Sequence, residues 1–234
     1  MVPSGVKAVA LLFPCAGIIS AKRTEEDSRI QSGGQELIDP GVFWMKQTIS
    51  NACGTMGLIH SLANTNVLFV PGSPLAKFIE ECKGTLRLLH PLLSHIDQYL
   101  GKTPEERAKL LETTPLFGKI HESAASSGQT AVPQDLDTDL HFTCFVKAPA
   151  TRPTSDAAQR WRLIELDGGR IGPIDRGECN DLLKACPYTP NFRKVHSHTK
   201  KQDTAKYVKE FYVSQAKSIS FNMMALCPGP EKEY

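Results

Sequence analysis

An α+β fold is what this sequence predicts, from three observations. Val6–Pro14 is an apolar run of strand length, a helical apolar period begins at Cys53, and two branched and aromatic stretches near residues 142 and 161 can pair as a hairpin. The 234 residues, 41% hydrophobic and 22% charged, have the composition of a globular protein and the length for one buried core, so a single domain over 1–234 is expected. A net charge of +2 is too balanced to point to nucleic acid. The seven cysteines (Cys15, Cys53, Cys82, Cys144, Cys179, Cys186 and Cys227) are odd in number and form no C-x-x-C pair. Free thiols in a reducing compartment follow, cytoplasmic by default and nuclear as an extension.

Taken in order, the first element is a strand over about 6–13, since Val6–Pro14 is too short to span a bilayer and no cleavage-site pattern follows it. The charged stretch through Arg23-Thr24-Glu25-Glu26 is expected to be a loop. Thr48-Ile49-Ser50-Asn51 is turn and cap chemistry, and Met56, Ile59, Leu62 and Ala63 then recur at helical spacing, giving a helix over about 53–63. Ser73-Pro74 opens another, reaching about Cys82, and Thr103-Pro104-Glu105-Glu106 is a capping box with proline at the first helical position. Between them, Leu86 to Ile96 reads as a helix kinked or broken at Pro91.

Glu122–Asp139 has no steady apolar period and runs into His141, a length of irregular chain that usually signals a lid. Phe142–Lys147 and Trp161–Leu166 are the hairpin strands. With 141 opposite 167 and 147 opposite 161, His141 and Asp167 become cross-strand neighbours on one face; a slip of two residues preserves the face and a slip of one separates them. A helix over Thr204–Gln215 and a final strand close the chain.

The chemistry centres on Cys53. In the first turn of its helix, unpaired amides and the positive end of the dipole favour thiolate, so the thiol pKa is expected below its free value of roughly 8.5. Gln47, six residues earlier, can return its amide N–H towards a carbonyl under attack and form a two-donor oxyanion hole with the Cys53 backbone N–H. Gly54 and Gly57 allow another segment to approach the helix closely. A lone cysteine at a helix start is more often a small apolar filler, so its companions decide the reading.

Those companions exist. The run from Gln47 to His60, with Leu140-His141-Phe142 and Glu165-Leu166-Asp167-Gly168, resembles the ubiquitin carboxyl-terminal hydrolase family of small papain-like thiol hydrolases. The likeness begins at Met1-Val2-Pro3 and Ala8–Pro14, passes through Arg23–Glu26 and Phe43–Lys46, and resumes at Thr103–Ala108, Ser127–Thr130 and Phe221–Leu226. It implies a papain-like fold, with a central, mostly antiparallel sheet flanked by helices on both sides. It also implies Cys53 as nucleophile, His141 as general base and then acid, Asp167 orienting the imidazole, and Gln47 as oxyanion donor.

The implied activity needs no cofactor or metal. It is hydrolysis of small adducts or short extensions from the C-terminal glycine of ubiquitin through a cysteine acyl-enzyme, by a monomer. Glu122–Asp139 would cross over the site and bind substrate, restricting the leaving group. Asp135, Asp137 and Asp139 alternate beside His141, read either as solvated loop acids or as a charge complement to the basic tail of ubiquitin.

The chain departs from the family pattern in four places. No Trp-x-Pro-Leu-Glu-type segment and helix precede Met1, which implies an N-terminally shortened domain, and stretches at about 83–101, 148–160 and 187–202 read as insertions. Two alternatives therefore stand beside the enzyme: a truncated ubiquitin-binding product that is inactive or poorly folded, and a hydrolase of a ubiquitin-like modifier. Cys186, His196 and His198 match no common zinc spacing. His60 reads as a core or surface histidine, and Cys144 as a packing residue.

Overall fold

Among the described residues, five strands form one antiparallel sheet in the order β4-β3-β2-β1-β5. They are β1 (Ala8–Pro14), β2 (Leu140–Pro149), β3 (Trp161–Leu166), β4 (Ile174–Glu178) and β5 (Asn222–Leu226). The computed structural model describes residues 5–84, 101–114, 138–151, 160–183 and 203–229. The predicted break at Pro91, most of the Glu122–Asp139 segment and of the three insertions, and the Cys186, His196 and His198 group lie outside the described residues.

The helices of the described residues are α1 (Gly17–Gln31), α2 (Cys53–Ala63), α3 (Pro74–Lys83), α4 (Pro104–Thr113) and α5 (Thr204–Tyr207), the last continuing as a π-helical turn over Val208–Val213. Local chemistry explains their starts. Ser73 accepts the N–H of Ala76, Asp203 that of Lys206, and Thr103 and Glu106 form the reciprocal box read from sequence. The turn before α2 is present, with Asn51 at φ 56°, but the residue capping the helix is Ala52, with no side-chain cap bond.

Alternation in β1 and β2 divides the core. Val9, Leu11, Phe13, Phe145 and Leu163 face one side and pack with Ile19 of α1 and with Val208 and Tyr212. Ala8, Cys144, Val146, Ile164 and Leu166 face the other with Trp44, and Cys144 lies 3.1 Å from Ser61 Oγ of α2. A third cluster joins α2 to α3 and α4 through Met56, Ile59, Phe78, Ile79 and Leu111. Helices thus cover both faces, and their ordering around an antiparallel sheet is α+β.

Three expectations need correcting. The charged stretch read as a loop is α1, a 15-residue helix. β4 carries Gly177 at φ 108° and charges at Asp175 and Arg176, and had no strand signal. The hairpin register is displaced by two: Cys144 lies opposite Leu166 and Pro149 opposite Trp161, so His141 is a diagonal rather than direct neighbour of Asp167. Because the displacement is even, both residues stay on one face. The ladder also runs further than expected, to an Ala150 N–H bond with the Arg160 carbonyl at 2.9 Å.

Candidate active site

Cys53 is the first residue of α2 and half-buried. Its helix is brought to the start of β2 by close approach: a Cβ on Gly54 would lie 3.3 Å from the Phe142 ring, whereas one on Gly57 would reach only 4.0 Å. Gly54 is the glycine that the contact requires. His141 stands one residue earlier on β2, and its side chain bonds both the Cys53 sulfur and Asp167.

The imidazole Nε2 is 2.9 Å from each Asp167 carboxylate oxygen, which leaves Nδ1 for the thiol. The base therefore comes from one face of the sheet and the nucleophile candidate from the helix on the other. Asp167 is buried and thoroughly partnered: the Gly169 N–H donates to Oδ1 at 2.7 Å, and the Arg23 guanidinium donates to Oδ2. Its backbone carbonyl accepts from Trp44 Nε1 at 3.0 Å and from the Arg170 N–H at 3.1 Å, so the turn after β3 is pinned as well.

Electrostatics follow from these contacts. Burial opposes charge on His141, but hydrogen bonds to Asp167 and Cys53 and the carboxylate charge overcome it and raise its pKa to about 9. Burial likewise opposes a Cys53 thiolate, and the His141 bond, then the N–H groups of Phe142 and Gly54, outweigh it and lower the thiol pKa. The direction is that expected from the helix start, but its main agent is His141, with the helix amide of Gly54 secondary. Asp167 loses solvation on burial, yet His141 and Arg23 hold its pKa far below the usual carboxylate range. The contacts thus favour thiolate on Cys53, imidazolium on His141 and carboxylate on Asp167.

Gln47 is fixed by its surroundings. Its backbone N–H donates to the Gly168 carbonyl at 2.9 Å, and a Cβ on Gly168 would sit 2.8 Å from the Gln47 Cβ, so only glycine permits this approach. The side-chain Nε2 donates to the Ile49 carbonyl at 3.0 Å, leaving one N–H available, while Oε1 is buried without a partner among the described residues. His60 is a core residue, its Nε2 accepting the Met45 N–H at 3.2 Å, and burial lowers its pKa to about 4. Of the Glu122–Asp139 segment only Thr138 and Asp139 are described; the Asp139 carbonyl accepts the Cys15 N–H at 2.6 Å.

Sequence reasoning missed the layer behind Asp167. Arg23 also lies against Tyr212 Oη (3.4 Å) and over the Phe13 ring, 5.0 Å from its centroid. Glu165 accepts from Thr143, Arg176 and Tyr212 at 3.1, 2.7 and 2.6 Å, and Glu26 of α1 bonds both Arg170 and Arg176. A signal was present: residues 19, 23, 26, 27 and 30 make one helical stripe, but three of the five are charged, so an apolar period does not reveal it.

The fold is α+β, and it brings a thiol, an imidazole and a carboxylate together, the side chains that a thiol hydrolase uses. The family model of ubiquitin carboxyl-terminal hydrolase, family 1, matches residues 1–195, and the chain belongs to that family. Among similar proteins, a probable ubiquitin carboxyl-terminal hydrolase of Dictyostelium discoideum is 34% identical over 239 residues, covering 100% of this chain and 75% of its own length. Ubiquitin carboxyl-terminal hydrolase 3 of Arabidopsis thaliana is 30% identical over 97% of this chain and 76% of its own. Isozyme L1 of Rattus norvegicus is 31% identical, over 97% and 80%. A solved relative, Trichinella spiralis UCH37 bound to ubiquitin vinyl methyl ester, matches with 19% identity and a TM-score of 0.46, over 95% of this chain and 64% of that one.

Proposed function

We propose that the chain is a cysteine-type ubiquitinyl hydrolase that releases small adducts or short extensions from the C-terminal glycine of ubiquitin. The observation that carries this reading is the Cys53, His141 and Asp167 array, in which the acid holds the imidazole and the imidazole holds the thiol. In the reaction, the Cys53 thiolate attacks the terminal glycine carbonyl, forming a carbon–sulfur bond and an oxyanion. The free Gln47 N–H and the Cys53 backbone N–H receive that charge.

Collapse of the adduct breaks the bond to the leaving amine, and the His141 imidazolium supplies its proton. Water then gives a proton to neutral His141, attacks the thioester, and releases ubiquitin and the thiolate. Asp167 fixes the ring with Nδ1 towards sulfur and favours its charged form.

Release of a fluorophore from a ubiquitin C-terminal amide tests this. Turnover is expected, and Cys53→Ala should abolish it with the fold intact. A protein that is soluble and melts cooperatively, yet neither turns over nor is labelled by an electrophilic ubiquitin probe, would sink the proposal. Turnover only when a ubiquitin-like modifier replaces ubiquitin would move the substrate and keep the chemistry.

A further inference from the structure

We infer that Arg23, on α1 and outside the reacting atoms, is the positioning residue that locks the Asp167 carboxylate and restrains how strongly it holds the His141 imidazolium; this deepens the thiol-hydrolase reading and rests on it. The argument starts from satisfaction of a buried carboxylate. Oδ1 of Asp167 has the Gly169 N–H and His141; Oδ2 has His141 and Arg23. Without Arg23, only one backbone donor, on Oδ1, would fix the carboxylate from behind, and the group could swing about its Cα–Cβ and Cβ–Cγ bonds and carry the ring with it.

Arg23 is itself made rigid. It is 6% exposed, its guanidinium lies over Phe13, and Tyr212 Oη faces it at 3.4 Å. Phe13 lies edge-on to the His141 ring, centroids 5.8 Å apart, so one aromatic side chain spaces the cation from the imidazole. The clamp is anchored on α1 by two further pairs one turn on: Arg170 donates to Asp27 Oδ1 at 2.8 Å and to Glu26 Oε2 at 2.9 Å.

Charge gives the second half of the role. Among the described residues, the groups facing the ring are Asp167 at the end of β3, the Cys53 thiol of α2 and Arg23 of α1. Cys15, in the field of Arg23 and Asp167, is driven by burial towards its neutral thiol and adds no charge at neutral pH. Asp167 favours the imidazolium and Arg23 opposes it. Proton delivery to a leaving amine needs an imidazolium that can let go, so a carboxylate shared between two cations suits the step better than one devoted to the ring.

The test compares three variants. Arg23→Met and Arg23→Gln remove the charge, and Arg23→Lys keeps it but loses the fork. The readouts are the pH dependence of fluorogenic turnover, kcat against KM, and an NMR titration of the His141 ring, which needs no turnover and so separates failure here from failure of the proposed activity. In the charge-deleting variants the ring midpoint and the alkaline limb of kcat should move up by about one pH unit or less, with kcat reduced and KM unchanged. In Arg23→Lys the midpoint should stay while kcat still falls. An unmoved midpoint in a folded Met or Gln variant overturns the inference, as does an equal shift in Arg23→Lys. If neither charge-deleting variant folds, Arg23→Lys decides: kcat lost at constant KM upholds positioning, and unchanged kcat refutes it.

Discussion

Apolar packing holds both faces of the sheet, but the α1 face adds a layer of buried ion pairs to it, and the catalytic candidates are divided between the two faces. Behind Cys53, α2 sits on an apolar cluster of Met45, Ala52, Met56, Ile59, Phe78 and Leu111. Behind His141 and Asp167, α1 is docked by Arg23, Glu26 and Asp27 against Asp167, Arg170 and Arg176, with Glu165 buried among them. Apolar packing is non-directional and tolerates small shifts, whereas charged pairs fix angles and are costly to leave unmatched. A nucleophile needs only to be delivered to the cleft, while a general base needs its ring held in one plane and one tautomer, so each force stands behind the role that it suits.

The sharpest way to break this contrast is Asp167→Asn. It keeps the shape but removes the charge, leaves Arg23 buried without its partner, and presents an amide donor where His141 and Arg23 both donate. We expect kcat to fall by on the order of 10² to 10⁴, and the fold to lose about 3–5 kcal/mol, read by urea denaturation. Loss of activity at unchanged stability would mean that the α1 face is held by packing after all.

The opposite substitution is Ile59→Ala on the apolar side. Ile59 is 2% exposed and makes no bond to the reacting groups. The cavity should cost about 2–5 kcal/mol with kcat and the pH profile of the folded fraction unchanged. A shifted pH profile would show that the two faces are coupled more tightly than their contacts indicate.

The same contrast explains what the sequence disclosed. α2 and α3 were legible nearly to the residue, and α4 at its start, because apolar period, Ser73 and the Thr103–Glu106 box are local signals. The Cys53, His141, Asp167 and Gln47 neighbourhood was legible through motif resemblance, and the face shared by His141 and Asp167 through strand alternation. α1 was not, because its buried stripe is ionic, its N-cap is Ala16 without a side-chain bond, and its partners Asp167, Arg170 and Arg176 lie more than a hundred residues away. The register was missed by two because alternation fixes parity and not offset.

Acid should take the two faces apart in order. On the α2 side, burial keeps His60 neutral, its pKa lowered from 6.5 to about 4. Between those values the unfolded chain binds a proton that the folded chain refuses, so stability falls as pH falls from 6.5 to about 4. On the α1 side, burial opposes the Glu26 charge, but Arg176 and Arg170 prevail and lower its pKa from 4.5 to about 2. A carboxylate so held contributes stability above its unfolded value and loses it as pH drops through 4.5 to about 2. Each proton gives a slope of at most about 1.4 kcal/mol per pH unit. Urea midpoints measured across this range should lose the upper slope in His60→Gln, and in Glu26→Gln the lower slope should lessen by one proton's share, Asp167 keeping the rest. Were Glu26→Gln to flatten the upper window instead, the ion pairs would be loosening first, and the apolar face would be the one that keeps the site together in acid.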